Sequence, residues 1–451
     1  MSAGLARQDD GTKQLYAKVS RRLVPFLFVC YAAAYLDRVN VGFAKLQMES
    51  DLGFSDTVYG LGAGLFFVGY IIFEVPSNVV LHKVGAKWWI ARIMISWAII
   101  SAAMSLVQSP AAFYALRFLL GVAEAGFIPG ILFYLTLWYP SARRGRVFAY
   151  FLAAIPVASM VGGPLSGWIM ESFAGVGGLS GWRWLFLIEA VPSLVLGFVV
   201  LAYLDNNVNS AKWLTVAEKI AINDAVTADL NSKPQMHSRV TAVFRDPKIW
   251  LLSGIYFCVA LGLYIVSFWL PTIIAATGVK STLHIGLLTA IPYSVAVIAM
   301  IANNVHADRT GERRWHAVVP CLITAAGLVI TGIGAHNTVV AMIGLVIAAA
   351  GASTTQAAFW TLPSAFLGGT GAAAGIAFIN SLGNISGLVS TSLVGWLSDL
   401  TGSTTSSLYS FAVVLVIGGL LITTLPSSLV DDPKRLPKAP RKEQDLKVAQ
   451  P

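Results

Sequence analysis

The strongest constraint on this chain is a series of long apolar segments separated by polar turns. Each of twelve segments approaches or exceeds the roughly 20 residues that a helix needs to cross a bilayer. We number them as spans 1 to 12, near residues 22–44, 57–81, 88–107, 111–136, 146–171, 183–204, 249–275, 283–305, 315–335, 338–362, 372–397 and 407–425. With 56% hydrophobic and 12% charged residues, the chain is too apolar for a soluble domain. The sequence therefore predicts an all-α membrane protein with twelve transmembrane helices.

The polar segments divide the chain into five predicted regions. These are an N-terminal segment (1–21), a six-helix bundle (22–204), a linker loop (205–248), a second six-helix bundle (249–425) and a disordered tail (426–451). The linker is rich in Lys, Asp and Asn and contains no apolar run that could cross a membrane. We therefore expect two six-helix bundles joined by a polar loop.

The basic residues predict the orientation of the chain. Most of the 31 Lys and Arg residues fall in the terminal segments, the linker and the turns after even-numbered spans, all on one side. Loops with excess Lys and Arg face the cytoplasm, so both termini are predicted to be cytoplasmic. The N-terminus has no secretory signal. We expect a multi-pass protein of a bacterial-type inner membrane, and the net charge of +9 does not indicate nucleic acid.

Four charged residues lie within the first bundle, Asp37 and Arg38 on span 1 and Arg117 and Glu124 on span 4. A charge at membrane depth costs at least ~2.5–3.5 kcal/mol unless it finds a partner or water. Arg117 and Glu124 are seven residues apart and return to nearly the same helix face, ~10.5 Å along the axis. We predict that all four side chains share one polar space. Asp37 and Glu124 would bind protons, and Arg38 and Arg117 would bind a carboxylate.

The alternative for these four residues is a set of static salt bridges that hold the fold together. Buried ion pairs are often neutral or unfavourable compared with apolar replacements. Four intramembrane charges are therefore better suited to a switch than to a structural contact. Glu74 on span 2 is a weaker candidate, as a gate or helix-end residue in preference to a proton carrier. Glu189 on span 6 is a candidate interhelical or interfacial partner.

The second bundle has almost no charge within its spans and presents polar and aromatic side chains instead. Gln356 with Trp360, and Asn380 with Asn384, are each four residues apart and face one way on a helix. They are candidate substrate-binding residues. Tyr70 on span 2 is a further candidate, as a hydroxyl donor to the same cavity, although a packing role is equally compatible with its position.

Two pairs of segments with matching residue spacing indicate that the two bundles are internal repeats. The turns after spans 2 and 8 share a spacing, with Asn78 before His82-Lys83-Val84-Gly85 and Asn304 before Asp308-Arg309-Thr310-Gly311. The ends of spans 5 and 11 share another, Gly167-Trp168 with Glu171 and Gly395-Trp396 with Asp399. Parallel six-helix repeats place a binding site at the interface between the halves. The bland interpretation is that the loops are merely short basic turns.

With these loops, the six-plus-six layout resembles the major facilitator superfamily over essentially the whole chain. The resemblance implies that Lys83, Gly85, Asp308, Arg309 and Gly311 belong to gating loops. In that family the first loop usually carries an Asp-Arg pair before the Gly. Here the second copy keeps the pair, whereas the first has His82-Lys83, which puts its usual gating ion pair in doubt.

A narrower resemblance rests on the segments Tyr35 to Gly42 and Arg117 to Phe127. They are similar to the anion:cation symporter branch of the superfamily. That branch imports organic carboxylates with protons, including hydroxy acids such as tartrate, sugar acids and aromatic acids.

These observations predict a secondary active transporter that imports a small organic carboxylate by proton symport with alternating access. The expected partners are the organic anion, protons and the lipid bilayer. We expect a monomer without a cofactor other than the coupling proton. The alternative is a drug or metabolite efflux antiporter of the same fold. An enzyme or receptor is disfavoured, since no nucleotide loop, nucleophile triad or metal cluster stands out in the sequence.

Overall fold

The computed structural model describes residues 2–231, 245–363 and 369–431. The described residues contain twelve helical spans that are long and apolar enough to cross a membrane, which confirms the predicted all-helical class. The helices are Ser2–Val39, Val41–Leu52, Asp56–Val84, Ala86–Ala103, Pro110–Glu124, Phe127–Thr136, Ser141–Leu152, Ala154–Ser172, Gly181–Tyr203, Val216–Asn231, Pro247–Ala276, Thr282–Thr310, Arg314–Ile333, Thr338–Phe359, Gly369–Thr401, Thr405–Thr423 and Ser427–Val430.

Spans 1 and 4 each consist of two consecutive helices. In span 4 the first helix ends at Glu124, and Gly126 adopts a φ of +85° before the second helix begins. Pro129 has no N–H to donate to the Ala125 carbonyl four residues earlier, and Ser77 Oγ donates to that carbonyl instead at 2.6 Å. In span 1 the two helices meet at Asn40, directly after Asp37 and Arg38, but Asn40 keeps helical φ and ψ of −58° and −26°, and its N–H still donates to the Leu36 carbonyl. The break in span 4 places Glu124 at a helix end, as in the discontinuous helices of transporter sites.

The two halves contact each other through matching pairs of spans. Span 5 packs on span 8, span 2 on span 11, and span 7 on the second helix of span 1. The backbones approach closely, because a Cβ at Gly60 would lie 2.3 Å from the Thr391 carbonyl oxygen and one at Gly286 2.3 Å from the Gly163 oxygen. Such small residues let membrane helices pack tightly.

The end of the bundle opposite the chain termini, called the far end here, is closed by two similar contacts. The Asp399 carboxylate at the end of span 11 accepts hydrogen bonds from Asp56 N at 3.1 Å and Thr57 N at 2.9 Å. The Glu171 carboxylate at the end of span 5 accepts from Ser281 Oγ at 2.6 Å and, at the start of span 8, Leu283 N at 3.0 Å. Each half therefore supplies an acid that caps a helix N-terminus of the other half.

A buried lysine reinforces the far end beside one of these caps. Lys45 on span 1 is 2% exposed, and its Nζ lies 2.6 Å from both Glu49 Oε1 and Asp56 Oδ1. The ammonium also lies 5.2 Å from the ring centroid of Trp269 on span 7. This cluster connects spans 1, 2 and 7, and the sequence did not indicate it.

The end that carries the termini, called the terminal end here, is more ordered than the sequence predicts. The predicted polar N-terminal segment is part of the first helix, and its Val19 is fully buried. The linker contains the helix Val216–Asn231, whose Glu218 binds Lys18 at 2.8 Å; this contact lowers the pKa of the Glu218 carboxyl. The rest of the linker, 232–244, lies outside the described residues.

The predicted disordered tail begins with an ordered turn. Ser427–Val430 are helical, and the Asp431 carboxylate accepts hydrogen bonds from Arg313 N at 2.8 Å and Arg314 N at 3.3 Å. The tail therefore attaches to the start of span 9 over these first residues. Residues 432–451 lie outside the described residues.

Candidate functional site

A buried ion pair joins Arg38, in the last turn of the first helix of span 1, to Glu124, the last residue of the first helix of span 4. The Arg38 guanidinium donates through Nη2 to Glu124 Oε1, and the two residues are 6% and 3% exposed. Arg38 also lies over aromatic rings, 5.2 Å from the centroid of Phe66 and 5.6 Å from that of Tyr70. Removing one member of such a pair leaves an uncompensated buried charge, at a cost of about 3–5 kcal/mol. Arg38 and Glu124 therefore stabilise each other at this position.

Arg117 lies two helix turns before Glu124 on span 4 and has a different environment. It is fully buried, and none of its three guanidinium nitrogens has a hydrogen-bond partner among the described residues. Its guanidinium carbon lies 5.3 Å from the Phe66 ring centroid. A buried donor without an acceptor is costly. Arg117 is thus the described cation best placed to gain from a bound anion or from a rearrangement of Glu124.

Asp37 is in none of the ion pairs found in the described part of the chain and binds uncharged donors instead. Its carboxylate accepts hydrogen bonds from Trp97 Nε1 at 3.1 Å, Ser101 Oγ at 3.0 Å and Ser193 Oγ at 2.5 Å. That all four charges share one space stays a prediction for Asp37, whose carboxyl interacts electrostatically with that of Glu124. Neighbouring residues on a helix point about 100° apart, and spans 3 and 6 offer three donors on the side that Asp37 faces. Its role in proton binding stays a prediction.

Two of the predicted residues in the second half meet around Tyr256 of span 7. Gln356 Nε2 donates to the Tyr256 hydroxyl at 2.7 Å, and the Trp360 ring meets the Tyr256 ring edge-on at 4.8 Å between centroids. Gln356 and Trp360 are only partly buried. They form a polar and aromatic wall that carries no charge.

The two asparagines of span 11 bind different partners. Asn384 is 8% exposed, and its Oδ1 accepts a hydrogen bond from the Tyr264 hydroxyl of span 7 at 2.9 Å. Asn380 instead donates to Glu74 Oε1 of span 2, across the interface between the halves, at 3.2 Å. Tyr70, one turn before Glu74, is 3% exposed beneath the Arg38 guanidinium. The structure therefore brings Tyr70 to Arg38 and Asn380 to the first half.

The predicted gating residues lie at the terminal end, in the last turns of spans 2 and 8. Lys83, Asp308 and Arg309 are exposed. Gly85 and Gly311 end their helices with φ values of +95° and +74°, which favour glycine. The two loops thus share a glycine with positive φ as well as their spacing, but their ψ values differ, 146° at Gly85 and 1° at Gly311.

Several tyrosines of the site were not singled out from the sequence. Tyr256 and Tyr264 hold the polar residues of the second half, and Tyr35 of span 1 shares a hydrogen bond of 2.9 Å with Ser267 Oγ of span 7. A buried tyrosine hydroxyl usually needs a partner. The sequence shows that these tyrosines lie in the middle of apolar spans, but it does not identify their hydrogen-bond partners.

Comparison with known proteins places these features in a family. The sequence profile of the Major Facilitator Superfamily matches residues 27–391. A Pseudomonas putida protein named for metabolite transport, NicT, is 50% identical, over 94% of this chain and 97% of its own. An Agrobacterium vitis protein named as a tartrate transporter is 47% identical over 93% and 94%.

Two further similarities bear on transport direction and on fold. A quinolone resistance transporter of Acinetobacter baumannii is 39% identical over 91% of this chain and 95% of its own. The inward-open xylose transporter XylE of E. coli superposes with a TM-score of 0.71 at 13% identity, covering 90% of this chain and 96% of that one. The structural likeness shows the fold alone.

Proposed function

Because this chain belongs to the major facilitator superfamily and is a multi-pass membrane transporter, we propose that it imports a small organic carboxylate by proton symport. The proposed location is a bacterial inner membrane with both termini in the cytoplasm, as the distribution of Lys and Arg predicts. In that orientation the closed far end faces outward, and the structure corresponds to a state that is sealed from the outside.

The observation that carries this proposal is the buried Arg38–Glu124 pair with the unpartnered Arg117 beside it. A proton on Glu124 removes its attraction for Arg38, and two guanidiniums are then available to an anion. Arginine matches a carboxylate with a two-pronged donor fork. Loss of the proton restores the ion pair and expels the anion. Proton and anion are thereby coupled, because each changes the affinity for the other.

The neutral second half supports a substrate that carries hydroxyl groups or a ring besides its carboxylate. Gln356 and Asn384 supply amide groups, and Trp360 with Tyr256 supplies aromatic surface. Two relatives are named as tartrate transporters, which favours a hydroxy acid as the first substrate to test. Sugar acids and aromatic acids share the required chemistry.

The number of protons decides whether voltage drives uptake. A potential of 100 mV, negative inside, opposes entry of each negative charge by ~2.3 kcal/mol. A monoanion that enters with one proton gains only from the pH gradient. If Asp37 and Glu124 both carry protons, a monoanion enters in a voltage-driven cycle, whereas tartrate as a dianion enters without net charge.

The proposal is tested with purified protein in liposomes of defined orientation. We expect labelled tartrate to accumulate when the side of the far end is acidic, and accumulation to collapse when a protonophore is added. Sugar acids and aromatic acids are tested in parallel as competitors. Uptake that ignores the pH gradient for every carboxylate would contradict the proposal.

The second candidate is an efflux antiporter, which the quinolone resistance relative favours. The two buried arginines of the site weigh against cationic drugs as substrates. Cells that express the protein distinguish the candidates, because an exporter lowers the intracellular level of a fluoroquinolone whereas the proposed importer raises that of a carboxylate.

A further inference from the structure

We infer that Glu74 is a third proton-binding carboxylate, whose proton is exchanged as the two halves move relative to each other. This inference rests on the proposed proton-coupled function and adds a site to it. It stands on the position of Glu74 at the interface between spans 2 and 11, where its partner belongs to the opposite half.

The surroundings of Glu74 suit an acid that gains and loses a proton. The residue is 5% exposed, Oε1 accepts one hydrogen bond from the neutral Asn380 amide, and Oε2 has no partner among the described residues. None of the ion pairs found in the described part of the chain includes Glu74. A buried charge without a cation is costly, whereas the uncharged acid retains both a donor and an acceptor.

The groups that face Glu74 come from four elements. Tyr70 lies one turn earlier on the same helix, Ser381 accompanies Asn380 on span 11, and Tyr256 faces it from span 7. The charged group that acts on Glu74 is Arg38 of span 1, which Glu124 already engages. A proton on Glu124 frees Arg38 and thereby changes the field at Glu74, so the two acids are expected to influence each other.

The spans that carry Glu74 and Asn380 contact each other through backbone atoms near the far end and through long side chains at Glu74. Near that end the Gly60 backbone lies against the Thr391 carbonyl. Glu74 is fourteen residues further along span 2, about 21 Å of helix rise. There the spans meet through two extended polar side chains. A change in the angle between the halves therefore alters the Glu74–Asn380 contact and the access of water to the carboxyl.

Asp37 provides the contrast that defines the role of Glu74. All three donors to Asp37 lie on spans 3 and 6 of its own half. Motion of the halves as rigid bodies leaves that environment intact. A proton can shift a conformational equilibrium only if its affinity differs between the two states. The carboxyl of Glu74 meets this condition directly, because Asn380, its donor, and the adjacent Ser381 both move with the other half.

The test is the number of protons moved per tartrate, measured in proteoliposomes from the pH gradient and voltage that together hold an imposed tartrate gradient at zero net flux, a readout that also works when the cycle moves no net charge. We expect Glu74→Gln to move one proton fewer than the wild type. The matched control is Glu189→Gln, a buried acid whose hydrogen-bond donor, Ser166, lies in its own half at 2.7 Å. That variant is expected to keep the wild-type ratio. An unchanged ratio in Glu74→Gln would overturn the inference.

A substrate-free measurement covers a variant that folds but does not transport. Infrared difference spectra of the purified protein between acid and alkaline pH report protonated carboxyl groups. We expect Glu74→Gln to lack one carboxyl signal that wild type and Glu189→Gln both show, and retention of every signal would overturn the inference. If wild type moves tartrate without protons, the proposed symport fails instead, and the two failures are distinguishable.

Discussion

The two halves share a fold but differ in the chemistry at their shared interface. The first half has Arg38, Glu124 and Arg117 within its spans, whereas the second presents Gln356 and Asn384, each bonded to a tyrosine of its own half. Under the proposed function, this difference gives charge switching to the first half and neutral recognition to the second. The two repeated halves therefore differ in the residues at their centre.

At the far end the same halves remain equivalent. Glu171 and Asp399 end matching Gly-Trp segments, and each caps a helix of the opposite half. The two halves are therefore similar at the far end, where acids cap helices of the opposite half, and different at the centre, where one half is charged and the other is neutral. The predictions below test this division, from the largest expected effect to the smallest.

Removing the cation of the first half should have the largest effect. Arg38→Ala leaves Glu124 as an uncompensated buried acid and removes a carboxylate ligand, at a cost of about 3–5 kcal/mol. We expect kcat/KM for tartrate to fall at least about 100-fold, measured as initial uptake into proteoliposomes. Arg38→Lys keeps the positive charge but loses the two-pronged guanidinium donor, so its kcat/KM should lie between those of wild type and Arg38→Ala. Uptake at the wild-type rate by Arg38→Ala would show that Arg38 does not bind the substrate carboxylate.

Neutralising the acid of the same pair should uncouple transport without preventing binding. In Glu124→Gln the side chain is permanently uncharged, so Arg38 is free for substrate at every pH. We expect exchange of labelled for unlabelled tartrate to persist while accumulation driven by a pH gradient disappears. Both are measured on one proteoliposome preparation. Gradient-driven accumulation at the wild-type level would remove Glu124 from the coupling.

A change in the neutral half should weaken affinity and leave coupling intact. Asn384→Ala removes the acceptor of the Tyr264 hydroxyl and one amide of the site. Losing such a contact costs about 1–2 kcal/mol, roughly a 5- to 30-fold rise in KM. The proton-to-tartrate ratio should stay at the wild-type value. A changed ratio would show that the second half takes part in coupling.

The smallest effects are expected at the far end, where the halves are equivalent. Asp399→Asn and Glu171→Gln each weaken one helix cap by about 1 kcal/mol, which shifts the population of the state open at the far end roughly fivefold. Distances between spin labels on the far ends of spans 5 and 8 report this population.

A third carboxylate provides the control for these two variants. Asp51 also lies at the far end, but its donor at 2.9 Å, Trp182 Nε1, belongs to the same half. Asp51→Asn should therefore leave the population unchanged. If only one of the two cap variants shifts the population, the far-end contacts are not equivalent, and the contrast with the centre of the molecule weakens.

The sequence determined the number of spans and the internal repeat. Both follow from local properties, since an apolar run of sufficient length stays in lipid and a repeated motif is read directly from the chain. The break in span 4 was also readable, because Gly126 and Pro129 cannot continue a regular helix there. We nevertheless predicted one continuous helix in that span.

Only the tertiary structure decided which groups meet. Asp37 and Arg38 are adjacent in sequence, yet the first turns to Trp97 and Ser101 and the second to Glu124. The contact between Glu74 and Asn380 joins residues on opposite halves. Helix periodicity gives the angle between two side chains on one span, but it does not say which neighbouring span lies in that direction. That choice depends on how all twelve spans pack together.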